Sequence, residues 1–159
     1  MTEECLLSEY EIKDGILHDQ NLQSIDYNGN ILSLDFSISV CENNYSNQEF
    51  LNKYKNFKKC EIKCILDNEA DNCVKLETSI NKRNNYQTKI MQIEDFLLLL
   101  QKRKKKENNA DCYDEISITP NQRAVDIAID RYSTLKYKSK SISRYIFEIH
   151  PKKIEFIWE

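Results

Sequence analysis

The chain has 159 residues, of which 40% are apolar and 31% are charged, and its formal net charge is −3. This length predicts a single domain over residues 1–159 that buries a core without disulfides or metals. The composition excludes a disordered chain, and no apolar run approaches the roughly 18 residues of a membrane span. The first thirty residues contain no secretory signal pattern and the six cysteines are scattered, so we expect reduced thiols and a cytoplasmic protein.

A β-hairpin over residues 22–40 organises the chain. Leu22 to Tyr27 predicts its first strand, and Asn28-Gly29 supplies the positive φ angles that a tight turn requires. Every second residue from Leu32 to Val40 is large and apolar, which predicts a second strand with one buried face. Residues 1–20 are less regular and predict a short helix or edge segment that leads into a loop at His18-Asp19.

Two more strands are predicted before residue 85. Apolar residues alternate with polar ones from Phe57 to Leu66, and the alternation resumes from Val74 to Ile80 after a polar turn. Strands joined by short polar turns are typical of an antiparallel sheet. The Asn-rich stretch from Cys41 to Asn56 predicts a loop or a short helical turn.

The hydrophobic period changes near Met91. Ile93, Phe96 and Leu100 follow helical spacing, with acids in the first turn and the basic run 102–106 at the end, where both signs suit the helix dipole. We therefore predict a helix over 92–104 that covers the apolar face of the hairpin. Residues 105–114 are expected to form an exposed loop.

Residues 119–135 admit two interpretations. Thr119-Pro120-Asn121-Gln122 resembles a capped helix start, and apolar residues follow it at helical spacing from Val125 to Leu135. The alternative is a strand in which Val125, Ile127 and Ile129 alternate with polar residues. We favour the helix.

The C-terminal part predicts a loop and two closing strands. Residues 136–143 are basic and serine-rich, whereas apolar residues alternate over 145–149 and again over 154–158. The whole pattern predicts an α+β fold with a single antiparallel sheet of five to seven strands and one or two helices packed on one face.

Two histidines are candidates for acid–base chemistry. His18 stands beside Asp19, whose carboxylate is able to orient an imidazole, but a hydrogen bond at the entry of the hairpin is the simpler interpretation. His150 precedes Pro151 and is expected in a solvent-facing turn. We therefore predict no catalytic residue and regard His18 and Asp19 only as a candidate functional loop.

Cysteines and glycines point away from metals and cofactors. Cys60 and Cys64 share one face of a predicted strand and are expected in the core, without the paired ligands of a zinc site. Cys112 lies in a polar stretch and is a candidate reactive thiol with no histidine beside it. Phosphate-binding loops need glycine, and the chain has only two. We predict no metal and no cofactor.

A basic, aromatic segment near the C-terminus is the candidate partner-binding surface. Tyrosine offers contact area at a small entropic cost, and charged side chains speed encounter between proteins. The residues concerned are Tyr132, Tyr137, Tyr145, Lys136, Lys138, Lys140 and Arg144.

Parts of the chain resemble a group of small bacterial proteins. The resemblance lies in Leu17-His18-Asp19, the hairpin segments 22–27 and 32–36, residues 53–60, and Ile154 to Trp158. These proteins open with a tripeptide like His-Asp-Ser, where this chain has Gln20 in place of the serine, and many are grouped with the immunity proteins of polymorphic toxin systems. The resemblance implies a toxin as protein partner and brings no catalytic residue.

Our first functional hypothesis is a non-enzymatic binding protein that occludes the active site of a toxin. The alternative is a small RNA-binding or nuclease-like protein that uses His18 and the basic segments 102–106 and 136–144. A third hypothesis is a structural subunit whose exposed sheet edge pairs with itself.

Overall fold

The computed structural model describes residues 1–4, 16–39, 48–81, 85–104, 109–118, 124–133 and 141–159. Ten strands and two helices lie in these ranges. In chain order they are β1 Thr2–Glu4, β2 Asn21–Tyr27, β3 Ile31–Ser37, α1 Gln48–Tyr54, β4 Lys59–Leu66, β5 Cys73–Asn81, β6 Asn85–Gln92, α2 Ile93–Lys104, β7 Asn109–Ile118, β8 Val125–Ser133, β9 Ser141–Ile149 and β10 Pro151–Trp158.

All ten strands belong to one antiparallel sheet, in the order β1-β10-β4-β3-β2-β7-β8-β9-β5-β6. The strand pairing in the middle of the sheet is short, because β2 and β7 share a single residue pair, Asn21 and Cys112. Two backbone hydrogen bonds extend this junction, from Asp19 N to Tyr113 O and from Tyr113 N to Gln20 O, both 2.9 Å long. We call the five strands β1-β10-β4-β3-β2 the first half and β7-β8-β9-β5-β6 the second half.

Each half buries one face. In β4 and β10 the buried positions alternate with half-exposed ones, as the two-residue period of a strand requires. The same alternation runs through β3, β5 and β9. The buried apolar residues form one cluster, whose largest fully buried members are Trp158, Tyr54, Tyr113, Tyr145, Phe36, Phe96, Phe147 and Phe156.

The predicted hairpin is confirmed. Gly29 has a φ of 85° and sits in the turn between β2 and β3. The side-chain oxygen of Asn28 accepts backbone hydrogen bonds from Asn30 (3.2 Å) and Ile31 (2.9 Å), which closes the turn locally. Leu32, Leu34 and Phe36 are at most 1% exposed, so the predicted buried face is present.

The predicted helix is present as α2, but its main aromatic contacts are not with the hairpin. Phe96 is fully buried, and its ring centroid lies 4.8 Å from that of Tyr145 and 5.8 Å from that of Phe147 in β9. Phe36 of the hairpin instead meets Tyr113 edge-on at 5.6 Å. The helix contacts β5 and β6 of the second half and also β2 of the hairpin, so the predicted cover of the hairpin is confirmed only in part.

The N-terminal strand is held by polar contacts. The N-terminal ammonium donates to the carbonyl of Trp158 at 2.8 Å. The Glu3 carboxylate accepts hydrogen bonds from Tyr54 Oη (2.9 Å) and Trp158 Nε1 (3.0 Å) and pairs with Lys53 Nζ at 2.5 Å. These contacts join β1, β10 and α1 at the outer end of the first half. Of the helix or edge segment predicted over residues 1–20, β1 lies at the sheet edge, and residues 5–15 are outside the described residues.

Several sequence predictions were wrong. The sheet has ten strands rather than five to seven. Residues 125–133 form strand β8 and not a helix, because the alternating Val125, Ile127 and Ile129 bury one face between two neighbouring strands. Residues 109–114, expected in a loop, belong to β7, and residues 85–92 form the edge strand β6, which the sequence did not predict.

Candidate functional site

Acidic side chains predominate on the outer face of the second half. The register of β7, β8, β9 and β5 places these side chains on the face opposite the core, since they alternate with buried residues. Six carboxylates and two cationic side chains share this surface. We call it the acidic face, defined by Asp114, Glu115, Asp126, Asp130, Glu148, Glu77, Arg144 and Lys75.

Arg144 lies at the centre of the acidic face and contacts three carboxylates. Its Nη2 is 2.5 Å from Asp114 Oδ2 and 3.2 Å from Glu115 Oε1, and its Nε is 3.8 Å from Asp130 Oδ1. Its side chain is 29% exposed. One guanidinium therefore neutralises only part of the charge around it.

Carboxylates also outnumber cations around Lys75, the second cationic side chain of the acidic face. Lys75 forms an ion pair with Glu148 across the β5–β9 pairing, and this hydrogen bond raises the pKa of Lys75. Asp126 lies close by on β8, and burial, followed by the charges of Glu148 and Glu115, raises its pKa although Lys75 opposes the shift. Burial also raises the pKa of Asp130, and Asp114 adds to it. The surface is thus electronegative even with both cations in place.

The structure brings the predicted loop of His18 and Asp19 to the border of the acidic face. His18 Nδ1 lies 3.2 Å from Asp19 Oδ2, and His18 Nε2 lies 3.8 Å from Asp114 Oδ1. Asp114 in turn contacts Arg144, so the sequence-predicted His18 and Arg144 meet through one carboxylate, and Asp19 lies at the other nitrogen of the imidazole. Asp19 has a φ of 64°, a conformation that Asp tolerates better than most residues.

Of the other predicted tyrosine and lysine residues, Tyr145 is the one whose side chain the structure describes. Tyr145 is fully buried, so its side chain offers no surface to a partner. Tyr137, Lys136, Lys138 and Lys140 lie outside the described residues, and Tyr132 is described only in its backbone, as part of β8. Of the seven predicted partner-binding residues, Arg144 alone is placed on a surface.

Tyr145 belongs instead to a buried polar cluster. Its hydroxyl donates to Asp111 Oδ2 at 3.0 Å, and Asp111 Oδ1 lies 3.0 Å from Arg131 Nε. The side chains of Arg131 and Asp111 are only 3% and 11% exposed. Burial and the adjacent Asp111 charge raise the pKa of Tyr145 well above its ordinary value. The cluster supports β7, β8 and β9 from beneath the acidic face.

Cys112 does not have the environment of a nucleophile. Its Sγ donates to Asn21 Oδ1 at 3.3 Å, and burial together with Asp19, Asp111 and Asp130 raises its pKa. A raised pKa keeps the thiol protonated at neutral pH, whereas reactivity requires the thiolate. Within the described ranges, no three His, Cys, Asp or Glu side chains are grouped so as to hold a metal ion.

The basic run predicted to touch nucleic acid is placed only in part. Lys102 is exposed near the end of α2, where it borders a groove with Lys89 of β6. Residues 105 and 106 lie outside the described residues. Lys102 therefore lines the groove between α2 and β6 and is not one of the residues of the acidic face.

Sequence reasoning missed most of the acidic face. Asp114 stood at the end of a predicted loop, Glu115 in no predicted element, and Asp126 and Asp130 in a predicted helix, so no prediction placed them on one surface. A signal was available: both aspartates of β8 occupy the polar positions of the alternation Val125, Ile127, Ile129. The strand alternative for this segment implied that they share a face.

Comparison with known proteins found no protein-family model, no curated protein and no solved structure that matches the chain. Neither of the helices in the described part of the chain is long and apolar enough to cross a membrane. The geometry of the described surfaces is therefore the basis for a functional proposal.

We expect the acidic face to lower the stability of the fold as pH rises. Folding raises the pKa of Asp126, so the folded chain holds this proton better than the unfolded chain. The resulting stabilisation is complete below the ordinary aspartate pKa and is lost as pH rises through the raised value. Asp126→Asn removes this titration. At pH 7 its free energy of unfolding should exceed that of the native protein by about 0.5 kcal/mol, so it should unfold at a higher denaturant concentration.

The advantage of Asp126→Asn should disappear as the pH falls toward the ordinary aspartate range. Urea unfolding followed by circular dichroism at several pH values measures it. Asp71→Asn, which changes an exposed side chain in the turn after β4, is the matched control and should leave the free energy of unfolding at pH 7 within about 0.5 kcal/mol of the native value. A variant at position 126 that is no more stable than the native protein at pH 7 would contradict the electrostatic account.

Proposed function

We propose that this chain is a non-enzymatic, cytosolic protein that binds another protein through the acidic face. The observation that carries the proposal is the excess of six carboxylates over two cations on one surface. Hydrogen-bonded strands hold these charges in fixed positions, so little order has to be gained on binding. Such a surface attracts a basic patch, accelerates encounter and disfavours acidic partners.

The most concrete form of the proposal is an immunity protein that neutralises a toxin by occlusion. A toxin that acts on nucleic acid carries a basic surface, because it must bind phosphates. An acidic sheet face fits over such a surface and excludes the polyanionic substrate. The resemblance of the hairpin and the closing strand to proteins grouped with immunity proteins supports the same interpretation.

RNA binding is the less favoured alternative. This alternative uses His18 and the basic segments 102–106 and 136–144. Asp19 and Asp114, however, flank His18, and Asp114, Glu115 and Asp130 surround Arg144. A phosphate backbone brought to this surface would meet fixed negative charge. The contacts of these residues therefore favour a cationic protein over a nucleic acid.

Charge reversal on the acidic face tests the proposal. We expect the native protein, immobilised and exposed to an extract of its source organism, to retain a basic protein at about 50 mM NaCl and to release it at about 500 mM. The double variant Glu77→Lys/Glu115→Lys should retain this protein about tenfold less, because repulsion replaces attraction at the centre of the face. Quantitative mass spectrometry of the retained fraction measures the difference.

The control makes the same change of charge elsewhere. Glu69→Lys/Asp71→Lys alters two exposed residues of the turn after β4 and should retain the partner as the native protein does. Equal losses in both double variants would attribute binding to net charge and remove the acidic face from the proposal.

Co-expression then tests the immunity function. The retained protein should arrest growth when it is expressed alone in bacteria, and the native chain should restore growth while Glu77→Lys/Glu115→Lys should not. A retained protein without effect on growth would leave a binding protein but end the immunity proposal. Retention of RNA in place of protein would support the alternative.

A further inference from the structure

Strand β6 is an exposed edge of the ten-stranded sheet. It lies at one end of the strand order and pairs only with β5. Residues 86–90 are all exposed, and the strand is eight residues long. The opposite edge, β1, has only three residues. Since an open edge presents unpaired backbone N–H and C=O groups, β6 offers by far the longer template for another strand.

Large apolar side chains are concentrated at this edge. The described part of the chain has four exposed large hydrophobic residues, and three of them lie here: Tyr86 (54% exposed), Ile90 (63%) and Leu98 (54%). Leu98 belongs to α2, which forms the second wall of a groove of about 580 Å³ beside β6. Clustered exposed apolar groups mark an interaction surface more often than scattered ones do.

The strand is complementary to itself. The β5–β6 register pairs Tyr86 with Ser79, Thr88 with Glu77 and Ile90 with Lys75, so Tyr86, Thr88 and Ile90 share the outer face. Tyr86 and Ile90 are equally distant from Thr88. We propose that two copies of this chain associate through β6, antiparallel about a two-fold axis at Thr88, so that Tyr86 of each copy packs against Ile90 of the other. Pairs of an aromatic and a β-branched residue are favourable across strands.

Charge selects this register. Lys89 is the only charged residue within β6, and pairing about Thr88 places it opposite the neutral Gln87 of the second copy. Pairing about position 89 would instead bring two lysines face to face, which is unfavourable. The central register therefore buries apolar side chains and separates the cations at the same time.

The size of the contact indicates a weak dimer. Stable protein interfaces bury roughly 1,200–2,000 Å² in total, and one pair of eight-residue strands with the flanking Leu98 side chains lies near the lower limit. We therefore expect a dimer that forms in the micromolar range or above. The two-fold axis runs perpendicular to the sheet, so both outer faces lie on the same side. This inference does not depend on the proposed function.

Cross-linking at the two-fold axis tests the register. Residues on an axis of antiparallel strands have Cα atoms roughly 4.5–5.5 Å apart, which a disulfide spans. Thr88→Cys should therefore form a disulfide-linked dimer under mild oxidation, at least about fivefold above the background of the native cysteines. Gln92→Cys is the matched control, because its two copies would lie roughly 26 Å apart along the strands.

Sedimentation supplies an independent test. The native protein should show a dimer fraction that grows between about 10 μM and 1 mM, and Ile90→Asp should remain monomeric because it places a carboxylate against Tyr86. Monomer at every concentration, or cross-linking of Thr88→Cys no greater than that of Gln92→Cys, would overturn the proposal. An edge that accepts only an extended peptide from another protein would give this negative result.

Discussion

Phe96→Ala should lower the free energy of unfolding by about 3–5 kcal/mol, the range for loss of a buried aromatic side chain. Phe96 is fully buried and contacts Tyr145 at 4.8 Å and Phe147 at 5.8 Å between ring centroids. Phe96 is the one aromatic residue of α2, so its removal leaves a cavity between the helix and β9. Guanidinium unfolding followed by tryptophan fluorescence and circular dichroism measures the loss.

Leu98→Ala is the control for this prediction. Leu98 lies on the same helix but is 54% exposed, so its truncation should cost less than about 1 kcal/mol. Both variants replace a large apolar residue with the same good helix former, which isolates burial as the difference. A loss of similar size in both would mean that burial of Phe96 against β9 is not what sets the stability of α2.

Asp111→Ala is expected to be comparably destabilising, by about 3–5 kcal/mol, because it leaves a buried cation without its carboxylate. The Arg131 side chain is only 3% exposed, and its Nε lies 3.0 Å from Asp111 Oδ1. The Tyr145 hydroxyl also loses its acceptor at 3.0 Å. Thermal and denaturant unfolding of the variant would quantify the loss.

A double variant distinguishes charge from packing at this cluster. Asp111→Leu/Arg131→Met replaces both charged groups with apolar side chains, and such replacements are often neutral or stabilising. We therefore expect the double variant to be more stable than Asp111→Ala. If it were less stable, the shape of the cluster and not the unpaired guanidinium would account for the effect.

Glu115→Ala serves as the surface comparison for Asp111→Ala. Glu115 is 54% exposed beside Arg144, so its replacement should lower the free energy of unfolding by less than about 1 kcal/mol.

Elements whose patterns are complete within a few residues were predicted correctly from the sequence. The Asn28-Gly29 turn encodes its own geometry, because the asparagine side chain and the glycine backbone act within four residues. The alternation in β4, β9 and β10 and the helical spacing in α2 are equally local. In these segments propensity, periodicity and tertiary contacts all favour the same structure.

The errors fall where two local patterns coexist. Residues 125–133 carry both a plausible capped helix start and a strict alternation, and only the neighbours β7 and β9 decide between them by hydrogen-bonding the segment on both sides. β7 mixes acids with few large apolar residues, so it has a weak strand pattern of its own. β6 is exposed over residues 86–90, and an edge strand of this kind shows no buried face to predict.

The sequence by itself determined the hairpin, the strands with a strict two-residue period and the helix α2. Only the tertiary structure decided which strands are neighbours, and hence that Asp114, Asp130 and Arg144 meet. The physical reason is range: a turn or a period is set by interactions within a few residues, whereas the acidic face depends on the register of four strands separated along the chain. The burial of Tyr145 beneath that face was decided in the same way, because alternation fixes two sides of a strand and packing alone chooses which side is covered.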